Sequence, residues 1–302
     1  LYIIPICHSL DLCYPTRYEG SITMLIYASG LWVEAEQAVV PFNDQGFLYG
    51  DSLFETVRVN HGKPFRLEKH LERMQSGMDT IQMESAEQLA KIPEILKEYI
   101  SRNNLDSALA RIIVTRGISK GSPWRSESTP TIYMTSRPVN KPEDWPVRVI
   151  FLEEKNYPIL RFHPAIKSGN YLGNMLAKKD AEDAGAFEPV FVNRDGYVTE
   201  CAIRNIFFIK DDVLLTPCLE LGVLPGVIRD TIMELAQMRH LKVREALINQ
   251  DDVPEMDEAF ISSTGVGVLP VTWDGFKSDY HYSQILKEDL DKLFESGESN
   301  VT

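Results

Sequence analysis

Short apolar runs and segments of helical periodicity follow one another along this chain without strict alternation and without an internal repeat. In LEKHLERMQSGMDTI, for example, Leu67, Leu71, Met74 and Met78 recur at helical spacing, whereas ALARIIVTRG is a short run typical of a strand. A solenoid or a regular barrel would show a fixed period. The pattern therefore predicts mixed layers of helices and strands, an α/β fold.

The same reasoning assigns individual elements. Strands are predicted at FETVRVN, GKPFRL, ALARIIVTRG, TPTIYMTSR, VRVIFLE and DEAFISSTGVGVLPV, and PVFVNRDGYVTE should form a hairpin that turns at Asp195-Gly196. Helices are predicted at LEKHLERMQSGMDTI, over residues 86–102, at SGNYLGNMLAKKDAEDAG with Gly185 as its end, and at VIRDTIMELAQMRH.

Changes in composition suggest where the chain divides. Residues 1–23 show no clear period, so we interpret them as an N-terminal extension outside the fold, which begins near Met24. The segment SRPVNKPEDWP is rich in proline and charge, as linkers often are. We expect a small α/β domain at 24–138, a linker at 139–146 and a larger domain at 147–302.

Charge and cysteine content exclude several classes of function. The net charge of −13 and the absence of a basic stripe argue against binding nucleic acid. Even LARIIVTRG is interrupted by Arg111 and Arg116, so no stretch approaches the roughly 20 apolar residues of a membrane span. The four cysteines form no CxxC pair of a metal site, and their number suits a reducing cytoplasm.

Two residues could do chemistry if they are buried. Lys167, in HPAIKSGNYLGNML, follows an apolar segment, where an amine loses its charge more readily and can condense with an aldehyde. A solvated surface lysine is the commoner alternative. Glu200, in GYVTECAIRNIFF, is either the buried partner of a cation or a surface group at a strand end.

Three further features could bind an anion. In LPGVIRD, Gly226 precedes a predicted helix and leaves the amides of Val227 and Ile228 free, although most Pro-Gly turns only start a helix. Thr264 lies in the glycine-rich turn of ISSTGVGVLPV, which could be a phosphate cradle or an ordinary turn. Arg73 could be a fixed cation or an exposed helix residue.

Taken in order, six blocks resemble the class IV pyridoxal-phosphate enzymes from about Met24 to about Val271. They are GFLYGDSLFETVRV, GKPFRLEKHLERM, IKSGNYLGNMLAKKDAEDAG, VNRDGYVTECAIRNIFFIKDDVLLTP, GVLPGVIRD and SSTGVGVLPV. That family includes branched-chain aminotransferases, D-amino-acid aminotransferases and aminodeoxychorismate lyases. The resemblance implies a small N-terminal α/β domain, a larger C-terminal domain with a barrel-like sheet, and a homodimer.

The resemblance also implies a role for each candidate. Lys167 would form the Schiff base with pyridoxal 5'-phosphate (PLP), and Glu200 would pair with the pyridine nitrogen. Tyr171 would line the cofactor ring. The phosphate would be bound by Arg73 and Thr264 and by the turn at Gly226, with the amides of Val227 and Ile228. A protein that had kept the fold without PLP would be expected to lose Lys167 or Glu200.

The substrate is less constrained. Branched-chain enzymes usually read YGxxVFEGIR, whereas this chain reads YGDSLFETVR with Thr56 in place of glycine, which favours the lyase and D-amino-acid groups. KSGNYL and the STG turn favour the branched-chain group. The resemblance places Tyr49, Arg58 and Arg111 near substrate carboxylates. We expect an aminotransferase acting on a branched-chain L-amino acid, glutamate and their 2-oxo acids by a ping-pong mechanism, with aminodeoxychorismate lyase or D-amino-acid aminotransferase as alternatives.

Overall fold

The computed structural model describes residues 24–84, 86–119, 121–122, 128–140, 142 and 144–297. The proposed extension at 1–23 lies outside this part of the chain. Helices and strands are mixed, as expected, and the strands form two sheets. The six α-helices of the described residues are α1 (Gln45–Tyr49), α2 (Leu67–Thr80), α3 (Ala86–Arg102), α4 (Leu172–Asp183), α5 (Val227–Met238) and α6 (His281–Ser296).

The first sheet has six strands in the order β2-β1-β6-β5-β3-β4, and its neighbouring strands are antiparallel. The strands are β1 (Leu25–Ala28), β2 (Leu31–Glu34), β3 (Ser52–Asn60), β4 (Lys63–Pro64), β5 (Ser107–Thr115) and β6 (Thr131–Arg137). Helices α2 and α3 cover one face and bury Met74, Met78, Ile92 and Leu96 against it.

Alternation along β3 decides which side chains reach the site. Leu53, Val57 and Val59 point into the core under α2 and α3, so the intervening Phe54 and Thr56 point to the opposite face. That opposite face looks towards the second sheet, where it borders a cavity. The strand thus separates a packing face from a site face.

The second sheet has eight strands in the order β12-β11-β10-β13-β14-β7-β8-β9, with parallel pairs at β11-β12, β14-β7 and β7-β8. The sheet curls into a half-barrel, in which the edge strand β9 contacts β10. Its strands are β7 (Val147–Glu153), β8 (Glu188–Val192), β9 (Val198–Cys201), β10 (Asn205–Lys210), β11 (Val213–Pro217), β12 (Lys242–Ala246), β13 (Glu258–Ser263) and β14 (Gly267–Thr272).

Most predicted elements are present, with three differences. In GKPFRL only Lys63–Pro64 is strand, because α2 begins directly afterwards. The helix after Lys167 starts at Leu172, since residues 168–170 form a turn against β3. The run DEAFISSTGVGVLPV forms two antiparallel strands rather than one. Helices α1 and α6 and the strands β10, β11 and β12 were not predicted.

The boundary at 139–146 stays a prediction, although it lies between the last strand of the first sheet and the first strand of the second. Contacts join the two sheets' layers directly. Phe65 packs edge-on against Phe294 with ring centroids 5.0 Å apart, and Asn60 donates to the Phe294 carbonyl at 2.5 Å. Among the described helices, none combines the length and apolar character needed to cross a bilayer.

Candidate active site

A cavity of about 370 Å³ lies between the site face of the first sheet and the second sheet. Its walls contain side chains from β3, β5 and α2 on one side and from the segments around Lys167, Glu200, Gly226 and Thr264 on the other. The structure therefore brings together most of the residues singled out in the sequence. They are Arg73, Arg111, Lys167, Tyr171, Glu200, Gly226, Val227, Ile228 and Thr264.

Lys167 is held in place by backbone pairing with β3. The Phe54 amide donates to the Lys167 carbonyl at 3.0 Å, and the Lys167 amine lies 3.4 Å from the Tyr171 hydroxyl and 4.7 Å from the centre of the Phe54 ring. Among the described residues no carboxylate pairs with this amine, whereas Lys178 and Lys179 on α4 each pair with one. Lys167 is thus half-buried and available to react.

Glu200 is the third of the four residues of β9 and is fixed by a partly buried arginine. Its carboxylate pairs with the guanidinium of Arg161 and accepts a hydrogen bond from the Leu224 amide at 3.3 Å. Arg161 also donates to Glu154 at 2.7 Å and to Thr199 at 3.2 Å. Burial lowers the pKa of Arg161, but the two carboxylates outweigh it and raise the pKa above its usual value. Arg161 stays charged and anchors Glu200.

Sequence reasoning missed Arg161. It lies six positions before Lys167 in RFHPAIK, in a stretch without helical or strand periodicity. The available signal was one of the two interpretations of Glu200, as the buried partner of a cation, and it did not identify the cation.

The start of α5 forms a polar end of the cavity. No side chain caps the helix at Gly226, so the first amides of α5 face the cavity without a capping group. A Cβ atom at Gly226 would lie 2.1 Å from Oδ1 of Asn205, so any other residue there would force the Asn205 side chain to move. The buried hydroxyl of Ser262, also in the cavity wall, has no hydrogen-bond partner among the described residues. Arg73 lies beside these groups, and together they suit a phosphate.

Arg73 is itself anchored. Its Nε and Nη2 atoms donate to the two oxygens of Glu55 at 2.8 and 2.6 Å, and Nη1 donates to the Pro225 carbonyl at 2.8 Å. His70 contacts the same carboxylate at 2.7 Å. Burial raises the pKa of Glu55, but the Arg73 charge and His70 oppose it and lower the pKa to about 2. Glu55 is therefore ionised at neutral pH.

Two arginines occupy the side of the cavity formed by the first sheet. The guanidinium of Arg111 stacks over the Phe54 ring at 3.9 Å, and burial and the nearby Arg137 charge lower its pKa, whereas Tyr171 raises it. Neither arginine has a carboxylate partner among the described residues. Arg137, which sequence reasoning missed, shares a face with Arg111 because it lies two residues beyond Thr135, the partner of Arg111 on β6.

Two predicted substrate residues lie elsewhere. Tyr49 is exposed at the end of α1 and is not among the side chains that line the cavity. Arg58 is buried against the Phe294 ring at 4.2 Å and donates to the Gly265 carbonyl at 3.4 Å, so it supports the turn that carries Thr264. Their contact with substrate stays a prediction.

The chain matches known proteins over most of its length. The family model of class IV amino-transferases matches residues 52–273. The chain belongs to this family. Its relatives include a protein of Methanocaldococcus jannaschii named as a candidate branched-chain-amino-acid aminotransferase, 33% identical over 251 residues that cover 82% of this chain and 87% of the relative.

Two other relatives carry different activities in their names. An aminodeoxychorismate lyase of Bacillus subtilis is 32% identical, with 82% of this chain and 86% of the relative covered. A D-alanine aminotransferase of Listeria monocytogenes is 30% identical, with 82% and 87% covered. The family is therefore established, and the substrate is not.

Solved structures agree on the fold. The branched-chain amino acid aminotransferase of Escherichia coli superposes with a TM-score of 0.82 at 25% identity, covering 91% of this chain and 96% of that chain. The branched-chain aminotransferase of Thermobaculum terrenum, in its PLP form, gives 0.79 at 21% identity, with 91% and 95% covered. Class IV aminotransferases are PLP enzymes, and the polar end of the cavity, the lysine and the opposing carboxylate fit that cofactor.

Gly226→Ala should weaken PLP binding because the new methyl group would collide with Asn205 and displace the start of α5. Overpacking of this kind costs about 1–3 kcal/mol, which corresponds to roughly a 5- to 150-fold loss of affinity. Titration of the apoenzyme with PLP, followed by visible absorbance, measures the loss. The double variant Gly226→Ala/Asn205→Ala should recover part of it, and no recovery would show that the steric argument is wrong.

Proposed function

We propose that the protein transfers an amino group between a branched-chain L-amino acid and 2-oxoglutarate. One observation carries the proposal: Lys167 shares a cavity with Arg111 and Arg137, and none of the three cations has a carboxylate partner among the described residues. Glutamate and 2-oxoglutarate each carry two carboxylates, and guanidinium groups bind carboxylates with high geometric specificity. Apolar side chains of the same wall, Leu160 and Ile203, offer room for an aliphatic substituent.

The proposed roles follow from position. PLP supplies an aldehyde carbon for the amine and an electron-withdrawing ring. Lys167 would hold that carbon through its amine and, once the substrate amine has displaced it, would move the proton at the substrate Cα, because no described carboxylate pairs with it. Glu200, anchored by Arg161, would keep the pyridine nitrogen protonated. Arg73, Ser262, Thr264 and the first amides of α5 bind the phosphate. Since both substrates would use this one cavity in turn, the kinetics would be ping-pong.

A lyase that releases pyruvate from aminodeoxychorismate is the second candidate. Thr56 lines the cavity where the branched-chain motif has glycine, so its hydroxyl is available to a substrate. A D-amino-acid aminotransferase is a third possibility, supported by the relatives that carry that name. A half-reaction screen with L-amino acids, D-amino acids and aminodeoxychorismate separates the three, because loss of the cofactor's visible band and release of pyruvate are distinct readouts.

Lys167→Ala should remove the visible band that borohydride fixes and lower turnover by about 10²- to 10⁴-fold or more, because Lys167 is the one lysine among the described residues that line the cavity. The control is Lys179→Ala, which removes an exposed amine already paired with Asp183. Retention of both the band and full turnover in Lys167→Ala would show that another lysine carries the cofactor.

Arg111→Leu should lower kcat/KM for 2-oxoglutarate by about 10- to 150-fold, the loss expected for one charge-assisted contact of 1.5–3 kcal/mol. A monocarboxylic acceptor such as 4-methyl-2-oxopentanoate should be affected much less. Arg111→Lys keeps the charge, so its kcat/KM for 2-oxoglutarate should lie between those of the wild type and Arg111→Leu. An equal loss for both acceptors would contradict the assignment of Arg111 to the second carboxylate.

We also propose that the protein is a homodimer, as its family resemblance implies. Large apolar side chains are exposed together on α1 and its approach and on the first turns of α4, namely Phe42 at 79%, Phe47 at 62%, Leu172 at 68% and Met175 at 59%. A hydrogen bond of 3.0 Å from Asn170 to the Gly50 carbonyl joins the two segments. An apolar band of this kind is typical of a surface covered by a partner, and Tyr49 lies within it.

Cytoplasmic location stays a prediction.

Sedimentation equilibrium should give twice the monomer mass of 34.3 kDa. Phe47→Asp should shift the equilibrium to monomer, since it would place a charge in an apolar interface. Asp195→Ala, at the tip of a hairpin distant in sequence from the band, serves as control. A monomeric wild-type protein at micromolar concentration would refute the proposed dimer.

A further inference from the structure

Glu55 occupies a position where a carboxylate is costly. It lies on the packing face of β3, between Leu53 and Val57, and none of its surface is exposed. An ionised group in such a place is tolerated only if it is paired and hydrogen-bonded. The pattern FETVRV therefore contains one charged residue that the core must compensate.

Helix α2 supplies the compensation from one of its faces. His70 and Arg73 are three residues apart, so both side chains point down onto β3. Arg73 binds Glu55 through Nε and Nη2, a two-pronged contact with both carboxylate oxygens. Burial lowers the pKa of His70, although the Glu55 charge raises it, so the neutral imidazole donates its Nδ1–H to Glu55 at 2.7 Å. The buried Nε2 atom of His70 has no hydrogen-bond partner among the described residues.

These contacts determine the direction of the Arg73 guanidinium. Two of its five N–H groups are committed to Glu55, and a third donates to the Pro225 carbonyl at 2.8 Å, one residue before the cap of α5. One N–H group on Nη1 and one on Nη2 are not used by these bonds. Arg73 lines the cavity together with the first residues of α5. A freely rotating arginine would lose conformational entropy on binding an anion, and this one has already lost it.

Attachment of α2 to α5 does not by itself explain the network. Arg66, at the start of α2, already bonds to Glu234 on α5 at 2.6 Å. A buried group of charges is also a poor source of stability, because apolar side chains of similar volume usually do as well or better. A requirement for one orientation of the Arg73 guanidinium would account for the network.

We propose that Glu55 and His70 are positioning residues that orient Arg73 towards the phosphate of PLP. Glu55 fixes the guanidinium, and His70 fixes Glu55. The carboxylate also neutralises the buried arginine before the cofactor arrives. The inference rests on the proposed role of Arg73 as a phosphate ligand.

The test compares PLP with pyridoxal, which lacks the phosphate. Apoenzyme variants are titrated with each compound by visible absorbance. The readout is the affinity for PLP divided by the affinity for pyridoxal, called the affinity ratio below. Glu55→Gln should weaken PLP binding about 10- to 100-fold and change pyridoxal binding little. The ³¹P resonance of bound PLP should shift as well, because the ionic contacts of the phosphate change. Simple destabilisation would weaken both ligands alike and leave the ratio unchanged.

A pair of His70 variants keeps the test decisive if Glu55→Gln fails to fold. Asparagine can place an amide N–H near the position of Nδ1, so His70→Asn should keep most of the affinity ratio. His70→Leu fills a similar volume without a donor and should lose part of the ratio. Equal ratios in wild type, His70→Asn and His70→Leu would overturn the role of His70, and an unchanged ratio in a folded Glu55→Gln would overturn the inference as a whole.

Two controls separate this inference from the proposals on which it depends. Glu234→Gln breaks the other ion pair between α2 and α5 and should leave the ratio at the wild-type value. Arg73→Ala should lower the ratio at least as far as Glu55→Gln. If Arg73→Ala leaves it unchanged, the phosphate site itself is wrong, whereas a low ratio in Arg73→Ala alone overturns only the positioning by Glu55.

Discussion

The active-site geometry depends on one piece of backbone pairing, the contact between the Lys167 segment and the start of β3. The Phe54 amide donates to the Lys167 carbonyl at 3.0 Å, and the Gly169 amide donates to the Ser52 carbonyl at 2.8 Å. These two bonds attach a connecting segment of the second sheet's layer to β3, which lies next to the short edge strand β4 of the first sheet. Backbone hydrogen bonds do not depend on side-chain rotamers. They therefore fix the position of the Lys167 backbone while its amine remains free to move.

Once that contact is made, the charges of the site divide into two groups. Arg73 is compensated by Glu55, and Arg161 by Glu200 and Glu154. Lys167, Arg111 and Arg137 have no such partners among the described residues. The cavity is consequently rich in uncompensated positive charge although the chain carries a net charge of −13. A cleft of this kind attracts anions such as a phosphate or a carboxylate. Its own carboxylates are paired with arginines and therefore repel such anions only weakly.

Sequence alone predicted the parts of this arrangement that are local. Period and turn residues located α2, α5 and most strands, and the motifs located Lys167, Glu200 and the α5 start. The partners of these residues were not predictable, because ion pairs such as Arg161 with Glu200 join positions 39 residues apart without a shared motif. Glu55 was the exception that offered a signal, since strict alternation in FETVRV places it on the apolar face and demands a buried cation. Arg137 escaped notice because it ends a strand just before a proline-rich segment.

The same division explains why the substrate is harder to infer than the cofactor. The groups proposed to hold PLP lie on the second sheet's layer and on α2, where each is fixed by backbone or ion-pair contacts that do not involve the substrate. The groups that could distinguish one substrate from another, Thr56, Arg111 and Arg137, project from the site face of the first sheet into the open side of the cavity. Nearby, α1 exposes an apolar surface that the proposed second copy would cover. Substitutions on that face can change the acceptor, or exchange transfer for elimination, while the cofactor contacts stay intact. Relatives with three different activities on one fold are the expected consequence.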